Sequence, residues 1–159
     1  MPLAAVRRGF ERALEWVVIA LMIVLAVEVA AGVIFRYAGR ALVWYDEVAS
    51  VLLAWVTYYG AALAALKRSH IGVPELVRRL PPAGRVQAVL VAKACVVGFF
   101  AMLGWVGYAV LEVLASDTLV TLPGVSVAVT QSVIPVSAAL FVVAELLTLP
   151  VDLQEARRP

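Results

Sequence analysis

The residues able to do chemistry in this chain are few and scattered. Glu28 falls near the middle of an apolar run. An ionisable group at that depth is costly in a bilayer and marks a site by default, either a proton relay or ion ligand, or a carboxyl that holds helices together. Glu28 has no second acid at matching depth, which leaves an ion pathway without its other ligands. Asp46 and Glu47 are adjacent, so on a helix they point about 100° apart, poor geometry for a paired acid and base. His70 is the only histidine and Cys95 the only cysteine. One histidine without clustered thiolates or carboxylates does not bind a metal, and one cysteine forms no internal disulfide. Cys95 reads as a small buried apolar residue. No Gly-rich phosphate loop and no nucleic-acid patch is present. The inventory therefore argues against an enzyme, and against any metal or cofactor.

The elements that carry these residues are four long apolar stretches. They span about 16–36, 46–67, 84–113 and 126–149 of the 159 residues. A bilayer core about 30 Å thick needs about 20 apolar residues of helix. The chain is 64% hydrophobic and 15% charged, where a soluble domain has roughly half and a quarter. These numbers predict an all-α integral membrane protein, one membrane domain covering 1–159, and exclude a water-soluble catalytic domain. The first apolar run is longer than a signal-peptide core and no clear cleavage site follows it before Arg36, so it is expected to remain as a helix.

Charge placement gives an orientation. Ten of the thirteen Lys and Arg residues lie in the N-terminal tail, the second connection and the C-terminal tail. The opposite side holds only Arg36 and Arg40. The positive-inside rule predicts that both termini are cytoplasmic.

Gly39 is expected to break the first helix, and Trp44-Tyr45-Asp46-Glu47 to open the second. There the rings favour the headgroup level and the carboxylates complement the helix dipole. Val73, Leu76, Val77 and Leu80 recur at helical spacing and Pro74 suits a first helical position, which predicts a short amphipathic interfacial helix over about 74–80. The third helical pattern runs from Ala83 to Ala115, roughly 50 Å at 1.5 Å per residue, long enough to tilt or to project into water. Gly98, Ala101, Gly104 and Gly107 recur every three residues, a packing seam facing either the chain's own helices or a partner. Lys93 is expected to snorkel or to pair with Glu28, while Glu112 and Glu145 are expected to meet solvent or headgroups. Pro135 is expected to kink the fourth span, and Pro150 to end it ahead of a tail from Asp152 to Pro159.

Several of these residues carry a resemblance. Phe35-Arg36-Tyr37, Trp44-x-x-Glu47, Trp55-x-x-x-x-Gly60-Ala61-Ala62, His70-Ile71-x-Val73 and Leu80-Pro81 follow in order over about 35–81. This pattern resembles the small permease subunit, DctQ type, of the tripartite ATP-independent periplasmic (TRAP) transporters. Pro74 departs from it, since an acidic residue often stands there in the family. The third and fourth spans match in character rather than by motif.

The resemblance implies a function. A large permease subunit of the same system would hold the substrate and sodium sites. A periplasmic substrate-binding protein would deliver an organic acid. The small subunit would brace the large one in a bacterial or archaeal inner membrane and help to dock the binding protein. On that reading Glu28, Trp44, Glu47, Trp55, Gly60, Gly98 and Gly104 shape the scaffold or its contact with the large subunit. Arg36, Arg40 and Asp46 meet the binding protein or lipid headgroups, and His70 lies in a cytoplasmic loop. Two other readings stay open on the residues alone: an anchor subunit of a redox complex, and a small homo-oligomeric channel or exporter.

Overall fold

A computed structural model describes residues 2–69 and 80–157. Helix α1 runs Pro2–Tyr37, α2 Tyr45–Leu66, α3 Pro82–Leu114, α4 Val127–Gln131 and α5 Val133–Ala156. No strand occurs among the described residues. Four helical stretches, with α4 and α5 together forming the last, are long and apolar enough to cross a membrane. The interfacial helix expected at 74–80 and His70 lie outside the described residues, apart from Leu80.

Packing is sequential in space but not in chain order. Helix α1 packs on α2, α2 on α5, and α5 on α3. The helices thus stand in the row α1, α2, α5, α3, with α5 inside and α1 and α3 at the edges. Burial follows from that order. The core gathers Leu14, Ala62, Ala65, Leu66, Phe141 and Ala144, with the Phe100 ring stacked on Phe141 at 3.7 Å between centroids. Most of α3 and much of α1 stay exposed, valines, Phe99 and Trp105 included. In water such flanks would be unstable; in lipid they cost nothing.

Helix ends have local causes. Gly39 takes the left-handed conformation, φ +72°. The Arg40 N–H donates to Phe35 O at 2.9 Å and the Gly39 N–H to Arg36 O at 3.1 Å. These two bonds make the Schellman stop that glycine favours. The end of α2 has the same form, with Ser69 N–H donating to Ala64 O at 2.9 Å. Here the left-handed position is filled by Arg68, φ 57°, although it bears a Cβ.

The two prolines of the fourth span behave differently from one another. Pro135 has no N–H for the Gln131 carbonyl, and the helix breaks one residue beyond Gln131, between α4 and α5. Pro150 does not end the span, as its sequence position suggests. It sits inside α5, which continues to Ala156. The first part of the expected tail, Asp152 to Ala156, is therefore helical, held from outside by the cations described below.

Candidate functional site

At the end of the row that carries Gly39, Glu47 lies in the first turn of α2 and reaches across to the 115–126 connection. Its carboxylate accepts from Val120 N–H at 3.0 Å, from Thr121 N–H at 2.8 Å, and from the Thr121 hydroxyl. That connection is already shaped by its own backbone. Leu119 N–H donates to Val125 O and Val127 N–H to Asp117 O, each at 2.9 Å, around an isolated bridge between Thr118 and Ser126. Leu122-Pro123-Gly124-Val125 closes it as a β-turn, and the Ser126 hydroxyl caps α4 by accepting from Ala128 N–H at 3.2 Å. The clasp leaves Val120 91% exposed at its tip.

About two turns deeper, Trp55 Nε1 donates to Thr130 O at 2.9 Å, just before the break that precedes α5. Its ring meets Tyr59 edge to face. Trp44 is half-buried at the start of α2. On the other side of α2, Tyr45 lies over Gly32 of α1 so closely that a Cβ there would come within 2.0 Å of its ring. Arg36, Arg40 and Asp46 are exposed around this corner. Glu28, one turn below Gly32, keeps both carboxylate oxygens shielded by the chain and without a hydrogen-bond partner among the described residues.

At the opposite end, charged side chains join α2, α3 and α5. Lys93 pairs with Glu145, with Asp152 at 2.7 Å, and donates to the Thr148 hydroxyl at 2.8 Å. Arg68 pairs with Asp152 at 2.7 Å and, through a fork, with Glu155 at 2.5 Å. Lys67 pairs with Glu15 of α1 at 2.5 Å, and Arg7 donates to Leu66 O at 3.1 Å. Hydrogen bonding to Glu15 holds the Lys67 ammonium above its ordinary range despite some desolvation. Hydrogen bonding to Glu155, helped by the Asp152 charge, pushes Arg68 higher still, so it is charged at every accessible pH.

Several sequence expectations need correction. Lys93 meets Glu145 and Asp152, not Glu28. Glu145 is buried, 7% exposed, rather than at a headgroup. Cys95 is exposed, because α3 stands at the edge of the row with only one face against α5. The glycine seam divides. A Cβ added to Gly104 would stand 3.3 Å from the Ala138 Cβ, and one on Gly107 would meet Ile134 and Pro135, so both serve the α3–α5 contact. Gly98 and Gly60 have open space where a Cβ would stand.

The candidate residues are therefore not gathered into one pocket. Glu47 and Trp55 tie α2 to the loop and the break that follow α3. Glu28 and the exposed Arg36 and Asp46 belong to the α1–α2 corner, while Gly60 and Gly98 lie on open flanks. The ion-pair network was missed from sequence, yet a signal exists. Glu145, Thr148, Asp152 and Glu155 recur at i, i+3, i+7 and i+10, a single polar stripe on α5 that needs cations opposite it.

Four apolar helices of membrane length, tied at both ends by polar clasps, define a multi-pass membrane protein. The family model for the DctQ component of tripartite ATP-independent periplasmic transporters matches residues 25–154, and the chain belongs to that family. It is a transporter component and not an enzyme. Over 80 residues the chain is 32% identical to a Haemophilus influenzae protein named as a TRAP transporter small permease. That match covers 50% of this chain and 48% of the relative, so the chain spans about half the length of the curated relative it matches.

Proposed function

We propose that this chain is the bracing subunit of a sodium-driven importer of organic acids. It stands against a large permease subunit that holds the sodium and substrate sites, and it helps a periplasmic substrate-binding protein to dock. Both termini face the cytoplasm of a bacterial or archaeal inner membrane, in keeping with ten cations at one side of the spans. The Gly39 end then faces outward.

The observation that carries this reading is the open row of helices locked at both ends. A mobile transport domain needs a fixed wall to move against, and sliding of α2, α3 and α5 would break the Lys93 and Arg68 ion pairs. The broad apolar flanks of α1 and α3 offer surface to lipid or to a large partner. On the outward side, the loop held by Glu47 presents the exposed Val120 at its tip. This suits a water-soluble protein arriving from outside. A substrate site at midspan has little support, because the one break within a span among the described residues, at Ser132, is bridged by Trp55.

Reconstitution tests the reading. Liposomes holding this chain and the large permease, with the binding protein outside, should take up an organic acid only under an inward sodium gradient. Equal uptake when this chain is left out would overturn the bracing role.

A further inference from the structure

A groove between the last turns of α1 and the first turn of α2 holds chemistry that the clasp does not use. Gly32, Val33, Arg36, Tyr37, Tyr45 and Asp46 line it. The Tyr45 ring fills the place of a Gly32 side chain and forms part of its wall. Arg36 and Asp46 are both exposed, and neither forms an ion pair among the described residues. A cation and an anion thus flank one groove without closing on each other. They lie where two membrane helices end, at headgroup depth, with two tyrosine rings beside them.

Below Arg36 the surface is apolar. Met22, Val29 and Val33 fall on the same face of α1 as Arg36, at heptad-like spacing, and all three are exposed. A ligand for this corner needs an anionic group, a cationic group a few bonds away, and a hydrocarbon chain continuing along α1.

We propose that the groove holds the phosphoethanolamine headgroup of a membrane phospholipid. The phosphate sits on the Arg36 guanidinium, the ammonium on the Asp46 carboxylate, and an acyl chain on Met22, Val29 and Val33. Arginine suits phosphate because its planar fork donates two parallel hydrogen bonds. A primary ammonium donates to a carboxylate, whereas a choline, with three methyl groups on nitrogen, does not. A glycerol headgroup carries no cation at all. The site therefore discriminates among phospholipids that share the same tails. The assignment needs only that the helices lie in a bilayer, and stands apart from the transport role.

Native mass spectrometry of the full chain tests this, in detergent with equal amounts of phosphatidylethanolamine, phosphatidylcholine and phosphatidylglycerol bearing identical chains. The expected result is retention of phosphatidylethanolamine about tenfold above the other two, the scale of one charge-assisted hydrogen bond. Asp46→Asn should bring it down to the phosphatidylcholine level. Arg36→Gln should lower all three, and millimolar inorganic phosphate should displace none. Equal retention of the three lipids by the unaltered chain overturns the proposal without reference to any variant. So does preference for phosphatidylglycerol, an unchanged preference in Asp46→Asn, or displacement by phosphate alone.

Discussion

Glu47 and Thr121 lie 74 residues apart and meet through two hydrogen bonds, one to the Thr121 amide at 2.8 Å and one to its hydroxyl. One carboxylate at the start of α2 thereby fixes the loop that joins α3 to α4. The sequence places Glu47 where a helix dipole favours a carboxylate, but its acceptor capacity serves a distant backbone instead.

Glu47→Ala should free that loop. The Val120 and Thr121 amides lose their acceptor and should exchange with deuterium faster, while amides in the middle of α5 keep their protection. Hydrogen exchange followed by mass spectrometry reads this directly. Unchanged exchange at 118–126 would mean that the loop's own bridge suffices. In the assembled transporter the same variant is expected to weaken uptake without altering substrate preference.

Lys93→Met should be among the most damaging substitutions. It leaves Glu145 buried and Asp152 short of a cation, and breaking a buried pair costs roughly 3–5 kcal/mol. Adding Glu145→Leu removes one stranded carboxylate and should recover part of that loss. Thermal unfolding in detergent of the single and double variants checks both signs. A double variant less stable than Lys93→Met would contradict the pairing.

Arg68 joins two effects of opposite sign. Its left-handed backbone costs about 1–2 kcal/mol for a residue with a Cβ. Its guanidinium offsets that by holding Asp152 and Glu155. Arg68→Gly and Arg68→Ala lose the same fork, but only glycine relieves the backbone. The glycine variant should be the more stable by about 1 kcal/mol. Equal stability would remove backbone strain from the account.

The glycines of α3 should separate by position. A Cβ on Gly107 would lie 2.8 Å from Ile134 Cγ2. Ile134 is β-branched and yields poorly, so Gly107→Ala should cost about 1–3 kcal/mol. Gly98→Ala meets open space and should leave the isolated chain as stable or slightly more so. Thermal melts of the two variants side by side decide it.

Much of the architecture was legible because a bilayer imposes simple arithmetic. Length and apolarity alone pointed to four helices, and Gly39 to the stop of the first. What stayed hidden depended on the order of helices in space. Nothing in local sequence says that α5 stands between α2 and α3. From sequence alone Lys93 is therefore expected to snorkel or to pair with Glu28, and Cys95 to be buried, whereas Lys93 meets Glu145 and Asp152 and Cys95 is exposed. Pro150 was overread for a related reason: a proline ends a helix only where nothing else holds the next turn, and here Arg68 and Lys93 grip Asp152. Glu47 and Trp55 were singled out by resemblance, but their partners, Thr121 and the Thr130 carbonyl, carry no motif of their own.

The central claim is that this chain works only beside a large permease. The most direct test is to co-express the two, tag this chain alone, and determine what co-purifies in mild detergent. The account predicts a stable one-to-one complex. A homo-oligomer of this chain without the permease, passing solute by itself in liposomes, would contradict it.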